Sequence, residues 1–575
     1  MMAWISRSPS GTGERTMKHT GPISGISTWA ETFVATAGYD NLVILWDARS
    51  GRALQRACHD HLANQCSFSP DGRLLVSASS DYTARLWDVP SLRLRGSLAG
   101  HDDDVEMAVF APQSDRIATC SRDHTIRIFD LDGRCLHVLT GHTADVISVS
   151  WAADGRTLVS SSDDGTVRRW SAETGRQIGT IGVAGVETDT IAVTANGVVF
   201  AGDDEGRISI IQAGRTSAIS AHDAGIKRIV WSDAERLLVS LSYDRSVVVW
   251  SFDPAEGLRR RNRTALPSIV WPRSCAFLGR EKLVFGTFGS RYATWNHADD
   301  AWLTDGIEPD ISLNTVAVSG GSTYAIGDSG VLLQDGVPSS CLGSLCNFLL
   351  PFGPALLTGG QMGQLFEAKS GRLIHQHRSP LNCGATFVRN GELHAIIGTY
   401  TGEGLVLALR GDSAVLMSEI KLHDNAVKGL AADGRRIFSV CATAAAAFHH
   451  IDDFSLDRHV PAAHSRIANG CTCIEGGFAS VGRDLKLRLW LGDTTEVHET
   501  PHANSIKCIA ASPDGQTIAT GSYGGTIALF DLKKRRWTDF VRPTASGISS
   551  LAANGEMPGF LASSYDGKLY SVGIG

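Results

Sequence analysis

An aspartate followed six residues later by an aromatic residue recurs along this 575-residue chain, and this recurrence limits the possible folds more than any other feature. The clearest copy lies between Gly141 and Trp170. Within it, Val146 to Trp151 and Thr166 to Trp170 alternate along the chain with the period of two that is typical of β-strands. A further short strand, Thr157 to Ser161, lies between two turns that contain Asp-Gly, a pair that accepts positive φ. The segment is therefore predicted to form three antiparallel strands.

Other copies of this pattern divide the whole chain into similar units. Six copies keep both residues: Asp40 and Trp46, Asp81 and Trp87, Asp123 and Phe129, Asp164 and Trp170, Asp244 and Trp250, and Asp484 and Trp490. Eight weaker copies end at Ile211, Trp295, Gln334, Ala368, Leu407, Phe448, Phe530 and Val572. These fourteen ends are about 40 residues apart, which is the length of one four-stranded unit of a β-propeller.

A histidine recurs in the same register. His59, His101, His142 and His222 each stand 22 residues before the repeat aspartate, with a serine or threonine between them. A serine, a histidine and an aspartate together resemble a hydrolase triad, but catalytic groups are seldom copied from unit to unit. The repetition therefore favours a structural role.

Together, Gly141-His142, Ser160, Asp164 and Trp170 resemble the signature of the WD40-repeat family, although Ser171 stands where that signature has a second aspartate. The resemblance implies an all-β chain of four-stranded blades. In the family such residues form hydrogen-bonded tetrads, because blade loops bury polar groups that need partners. The tetrad residues implied here are His59, Ser77, Asp81, Trp87, His101, Thr119, Asp123, His142, Ser160, Asp164, Trp170, His222, Ser240, Asp244 and Trp250.

Fourteen blades are too many for one ring, so we predict two tandem seven-bladed β-propellers. We also expect the protein to come from a bacterium. The predicted parts are an N-terminal segment at 1–18, a first propeller at 19–305, and a second at 306–575 with degenerate blades 8 to 11. Ala301 to Thr304 is predicted to complete blade 7 by a local hairpin, which leaves the last blade without an outer strand. Ala3 to Ser6 is predicted to supply that strand; the competing arrangement exchanges the two segments.

The residue before each repeat aspartate lies in a tight turn and is predicted to point outwards onto one face of the ring. Tyrosine, phenylalanine and arginine are common there, and such residues are frequent at interface hot spots. The alternative is that they only pack against the neighbouring blade. The candidate partner-binding residues are Tyr39, Arg122, Asp163, Tyr243, Phe288, Tyr400, Arg483, Tyr523 and Tyr565.

Composition limits the remaining functions. The net charge of −7 gives no overall attraction to nucleic acid or to an anionic membrane, and no apolar run is long enough to span a membrane. Twelve cysteines without zinc-site spacing are typical of a reducing cytoplasm. We therefore expect no cofactor and no metal, and a cytoplasmic location.

The chain is accordingly predicted to be a non-catalytic scaffold whose partners are proteins. A narrower expectation is an accessory role in a bacterial biosynthetic pathway such as that of the toxin toxoflavin. The alternative is a ligand-binding or enzymatic propeller in which Asn382, Cys383, His423 and Asp424 line the channel of the second ring.

Overall fold

The computed structural model describes residues 17–183, 185–309, 311–554 and 559–573. In this part of the chain every regular element is a β-strand, and no helix capable of crossing a membrane is found there. The strands form fourteen antiparallel sheets, of which thirteen have four strands and the last has three. The predictions of an all-β chain and of fourteen units are confirmed.

The first seven sheets form what we call the N-terminal half. Its strands are β1 (Ile23–Trp29), β2 (Phe33–Gly38), β3 (Leu42–Asp47), β4 (Ala53–Cys58), β5 (Ala63–Phe68), β6 (Leu74–Ser79), β7 (Ala84–Asp88), β8 (Arg93–Leu98), β9 (Val105–Phe110), β10 (Arg116–Ser121), β11 (Ile126–Asp130), β12 (Cys135–Leu139), β13 (Val146–Trp151), β14 (Thr157–Ser162), β15 (Thr166–Ser171), β16 (Gln177–Val183), β17 (Thr190–Val193), β18 (Val199–Gly202), β19 (Arg207–Gln212), β20 (Arg215–Ser220), β21 (Ile226–Ser232), β22 (Leu237–Ser242), β23 (Ser246–Asp253), β24 (Gly257–Ala265), β25 (Val270–Leu278), β26 (Lys282–Thr287), β27 (Ala293–Asn296) and β28 (Ala301–Leu303).

The last seven sheets form the C-terminal half. Its strands are β29 (Leu313–Ser319), β30 (Ser322–Gly327), β31 (Val331–Gln334), β32 (Val337–Cys341), β33 (Phe348–Phe352), β34 (Ala355–Gly359), β35 (Gln364–Glu367), β36 (Arg372–Gln376), β37 (Leu381–Arg389), β38 (Glu392–Thr399), β39 (Glu403–Arg410), β40 (Ser413–Lys421), β41 (Val427–Ala432), β42 (Arg436–Cys441), β43 (Ala446–His450), β44 (Leu456–Val460), β45 (Ala468–Ile474), β46 (Gly477–Gly482), β47 (Lys486–Leu491), β48 (Thr494–Glu499), β49 (Ile506–Ala511), β50 (Thr517–Ser522), β51 (Ile527–Asp531), β52 (Arg536–Val541), β53 (Ile548–Ala553), β54 (Gly559–Ser564) and β55 (Leu569–Gly573).

Consecutive strands pair in chain order within each sheet. In the fourth sheet, Ser160 on β14 stands opposite Val149 on β13 and Arg168 on β15. The second strand is almost wholly buried, whereas a fourth strand such as β8 is largely exposed. The first strand of each sheet is therefore on the inside and the fourth is on the outside.

The core lies between neighbouring sheets, because the first strands of successive sheets contact one another within each half. The same contact joins the first sheet to the seventh through β1 and β25, and the eighth to the fourteenth through β29 and β53. Ile26 and Val34 pack in one apolar cluster with Leu278 and Val284 across the first of these contacts. Across the second, the Ser549 hydroxyl donates a hydrogen bond of 2.6 Å to the carbonyl of Leu313.

The outer strand of the seventh sheet is local. Trp302 on β28 stands opposite Trp295 on β27, so the predicted hairpin is confirmed and the exchange of this segment into the last sheet is wrong. In the described part of the chain the last sheet ends at its third strand, β55, as predicted. The segment from Ala3 to Ser6 lies outside the described residues.

In two of the weaker copies, where Thr401 and Met362 stand in place of the repeat aspartate, a glycine follows in the turn. Gly402, between β38 and β39, has φ of +90°, and a Cβ at this position would lie 2.0 Å from the carbonyl oxygen of His423. Gly363 has φ of +68°, and its Cβ would meet the carbonyl oxygen of His377 at 2.2 Å. Only glycine fits a position that combines positive φ with such close backbone approach.

Candidate functional site

The residues around His142 form one buried hydrogen-bonded chain. Trp170 Nε1 donates to Ser160 Oγ at 2.8 Å, and this hydroxyl lies 2.7 Å from His142 Nε2. His142 Nδ1 lies 2.8 Å from Asp164 Oδ2. Since the indole N–H can only donate, the pattern is satisfied when Ser160 donates to Nε2 and the histidine donates from Nδ1. The chain of bonds ties the third strand, the second strand, the leading loop and the turn of this blade together.

The other three predicted groups have the same geometry. The histidine–hydroxyl and histidine–carboxylate distances lie between 2.7 and 3.0 Å in the groups of His59, His101 and His222. Trp87 and Trp250 donate to Ser77 and Ser240 at 2.8 and 2.9 Å. In the third sheet Phe129 replaces the tryptophan, so that group has three hydrogen-bonding members.

Two further complete groups were missed by the sequence reading. His19 binds Thr36 and Asp40 at 2.7 and 3.0 Å. His464 binds Ser480 and Asp484 at 2.9 and 3.0 Å. Their histidines stand 21 and 20 residues before the aspartate instead of 22, because the loops are shorter. A search that tolerated one or two missing loop residues would have found both.

These groups are closed to substrates. Ser77, Ser160 and Ser240 are each 0% exposed, and their oxygens already contact the indole and the imidazole. A nucleophilic serine has to reach the substrate carbonyl, with oxyanion donors close by. The arrangement therefore fastens a blade and provides no route for hydrolysis.

The free energy of unfolding is expected to fall in acid through these aspartates. Burial raises the pKa of Asp244, but the hydrogen bond and electrostatic attraction from His222, together with the Ser246 hydroxyl, outweigh it and hold the pKa at about 2. Because the folded pKa lies below the unfolded value of about 3.9, the stabilisation of ~2 kcal/mol is complete above about pH 5 and is lost as the pH falls through about 2.

Denaturant unfolding of the wild type and of Asp244→Asn between pH 6 and pH 3 measures this effect. The difference in stability between the two proteins should shrink towards acid pH. The control is Asp412→Asn, because Asp412 is exposed in a turn. A difference that stays constant across this pH range would contradict the assignment.

The predicted partner-binding residues do not form an open face. Those of both halves line one cavity of about 970 Å³ between the halves, and the residues concerned are Tyr39, Arg122, Asp163, Tyr243, Tyr400, Arg483, Tyr523 and Tyr565. Phe288 is not in its lining; it is 3% exposed and stacks on Trp271 at 5.4 Å. The expectation that these side chains point outwards to solvent is therefore wrong, because the two turn-bearing faces oppose each other.

Direct contacts join these two faces. Arg483 Nη1 lies 2.6 Å from Asp104 Oδ1. The rings of His61 and Tyr523 are 5.0 Å apart, and the Arg466 guanidinium lies 4.9 Å from the ring of Tyr82. Burial followed by the charge of Arg483 lowers the pKa of His61 to about 4, which leaves it neutral at pH 7.

The four residues of the alternative channel site do not come together. Asn382 and Cys383 line the cavity, and burial raises the pKa of the Cys383 thiol to about 12. His423 is buried against Ser439 at 2.8 Å, whereas Asp424 is exposed beside Lys421 at 3.7 Å. This set therefore contains no activated nucleophile.

One group in the described residues has ligand atoms close enough for a metal ion. The ligand atoms of His377, Glu403 and Glu419 lie within 4.8 Å of one another. However, Glu403 accepts hydrogen bonds from Thr399 at 2.6 Å and from Arg378 at 2.8 Å. Its carboxylate is thus already compensated by these partners.

Comparison with known proteins identifies the repeat. Five segments match the family described as "WD domain, G-beta repeat", at residues 53–88, 92–130, 133–171, 214–251 and 494–531. Each runs from the fourth strand of one sheet into the third strand of the next. The chain therefore contains WD40 repeats, four of the five matches lying in the N-terminal half.

Similar stretches occur in proteins with diverse names. WD repeat-containing protein SL1-17 of Schistosoma mansoni is 26% identical over 26% of this chain and 49% of its own length. A subunit of chromatin assembly factor 1 from Mus musculus is 28% identical over 26% of this chain and 24% of its length. The transcriptional corepressor LEUNIG_HOMOLOG of Arabidopsis thaliana is 28% identical over 38% of this chain and 28% of its own length. The chain thus spans less than half the length of these relatives.

Proposed function

We propose that this WD40-repeat chain is a non-catalytic scaffold that binds other proteins and is built as two seven-bladed β-propellers. The contacts of β1 with β25 and of β29 with β53 support two closed rings, since each contact joins the ends of one run of seven sheets. The proposed domains are 19–305 and 306–575. The segment 1–18 precedes the first of these domains.

The observation that carries the scaffold function is the burial of the recurring polar groups. A histidine, a hydroxyl and a carboxylate recur in six sheets, and in each they are bonded to one another inside a blade. These repeated groups therefore support a rigid framework. Repeat frameworks of this kind offer broad surfaces for partners.

Proteins similar to parts of this chain include a subunit of a chromatin assembly factor and a transcriptional corepressor. Their names are in keeping with proteins that act in assemblies. All twelve cysteines are free, which supports a reducing compartment, and we propose the cytoplasm. No residue supports the narrower role in a bacterial toxoflavin-type pathway, which stays a prediction for the neighbouring genes to test.

Affinity capture from the lysate of the source organism tests the scaffold. We expect a protein partner to elute with the chain in a fixed stoichiometry. Glutamate substitutions at exposed apolar positions of outer strands, Leu94, Met417 and Val497, which are 50%, 53% and 54% exposed, should weaken capture where they fall in the interface and leave the melting temperature unchanged. Elution with no protein above the level of an unrelated bait would contradict the proposal.

A further inference from the structure

The cavity between the two halves has the size of a ligand site. Its volume of about 970 Å³ lies at the upper end of the range of roughly 300–1,000 Å³ that is usual for small-molecule sites. Turns and first strands of both halves line it, so a ligand inside contacts both at once.

The two halves bring opposite charge to this cavity. Among its lining residues, the N-terminal half supplies eight carboxylates and four cationic groups, whereas the C-terminal half supplies one carboxylate and three cationic groups. Low-dielectric walls lined by one sign of charge concentrate the electric field between them. The cavity is therefore negative on one side and positive on the other.

Two carboxylates on the negative side lack a cationic partner. Lys227 pairs with Asp189 and, at 2.5 Å, with Asp204. By contrast, Asp163 and Glu187 have no lysine, arginine or histidine nitrogen within 4.0 Å in the described part of the chain. Burial, then Asp204 and Asp189, raise the pKa of Glu187 to about 9.

Such a site favours a cation. Asp163 Oδ1 is buried without a hydrogen-bond partner among the described residues. Burial, followed by the charges of nearby carboxylates with Glu187 first, raises the pKa of Asp163. Ionised carboxylates in this position are costly unless a positive charge joins them. A ligand ammonium group would supply that charge.

Two lysines on the positive side lack an acidic partner. Lys428 Nζ lies 4.1 Å from the centre of the Tyr400 ring, and Lys507 Nζ lies 6.0 Å from that of Tyr523. Within the described residues neither lysine has a carboxylate within 4.0 Å. Tyr523 raises the pKa of Lys507 more than burial lowers it, so this ammonium group is charged at pH 7.

A buried donor also lies in the cavity wall. Trp271 is 2% exposed, and its indole N–H has no hydrogen-bond partner among the residues that the structure describes. Tyr39 packs edge-on against it at 5.2 Å. The indole nitrogen is itself closed to solvent, so Trp271 and Tyr39 form an aromatic part of the cavity wall.

We propose that this cavity binds a zwitterion of short-peptide size, with its ammonium group against Asp163 and Glu187 and its carboxylate against Lys428 and Lys507. The lysines would repel a polyamine, and the carboxylates would repel a dicarboxylate, so neither class of ligand suits both walls. This binding activity goes beyond the scaffold function and does not depend on it.

Titration calorimetry of the intact protein with tetra-alanine tests the proposal. The probe set is the peptide with free ends, its N-acetylated form, its C-amidated form and the doubly blocked form, with spermidine and succinate beside them. We expect the free peptide to bind, and each single block to weaken binding at least tenfold, because each removes one charge that a wall recognises.

Two double variants test which wall of the cavity binds the amino end of the peptide and which binds the carboxyl end. Asp163→Asn with Glu187→Gln should remove the effect of N-acetylation and keep that of C-amidation, while Lys428→Met with Lys507→Met should do the reverse. The control is Lys421→Met, a lysine outside the cavity whose side chain is 56% exposed. If a variant does not fold, titration of the wild-type protein with the blocked peptides still shows whether both charged ends are recognised. Absence of binding by tetra-alanine, equal binding of the blocked forms, or tighter binding of spermidine or succinate would each overturn the proposal.

Discussion

Replacing Arg483 by methionine is expected to lower the free energy of unfolding by about 3 kcal/mol. The guanidinium of this residue lies 2.6 Å from Asp104 Oδ1 and 3.7 Å from Asp103 Oδ1, across the contact between the two halves. Asp104 is 3% exposed. Methionine keeps most of the apolar volume but leaves a buried carboxylate with only Arg122, at 3.9 Å, as a cationic neighbour. Denaturant titration followed by tryptophan fluorescence measures the loss.

A matched surface pair controls for charge removal. Arg410 Nη1 lies 2.6 Å from Glu392 Oε1, and both side chains are about half exposed. Exposed ion pairs contribute ~0–1 kcal/mol, so Arg410→Met should have little effect. Adding Asp104→Asn to Arg483→Met should recover part of the stability. If Arg483→Met costs no more than Arg410→Met, the ion pair does not hold the halves together.

Replacing Trp170 by alanine is expected to cost about 3–5 kcal/mol. The indole is 0% exposed and packs with Cys120, Ile126 and Ile128 between the third and fourth sheets. Truncation removes this packing and also the donor to Ser160. Thermal and chemical unfolding of the variant measure the total loss.

The chain contains its own comparison for the hydrogen bond. Phe129 occupies the equivalent position one sheet earlier and is 0% exposed, yet His101 still lies 2.7 Å from both Thr119 and Asp123. Trp170→Phe should therefore cost only about 1 kcal/mol, the usual contribution of one hydrogen bond. A phenylalanine variant as unstable as the alanine variant would show that the indole N–H, and not the ring, provides most of the stabilisation.

Sequence periodicity predicted the units of this fold well because each unit is local. The strands of a sheet are consecutive in the chain, so alternation, turn residues and the Asp–aromatic spacing all fall within about 40 residues. The prediction was weakest where it assumed a fixed spacing between the histidine and the repeat aspartate. His19 and His464 were missed because shorter loops shift them relative to Asp40 and Asp484, while their hydrogen bonds are unchanged.

The weak copies kept their strands with different turn chemistry. In the turn before β39, Thr401 stands at the position of the repeat aspartate and Gly402 follows it, as Gly165 follows Asp164 in the fourth sheet, so a search for aspartate cannot detect this copy. The opposed faces of the two halves were beyond sequence reasoning altogether. Nothing in the surroundings of Tyr39 or Arg122 reveals that Tyr523 and Arg483 lie across a shared cavity, because no repeat spacing relates the two halves in space.

The contiguity of each sheet has a consequence for the history of this chain. Each of the thirteen four-stranded sheets is one uninterrupted stretch, and β28 closes the seventh without borrowing a strand from elsewhere. A gene segment that encodes one sheet could therefore be copied, lost or moved by recombination without breaking a hydrogen bond inside any other. The cost of such an event is confined to the two flanking interfaces, where apolar side chains must repack against a new neighbour. Drift of individual copies, such as those that lack the repeat aspartate, is tolerated for the same reason.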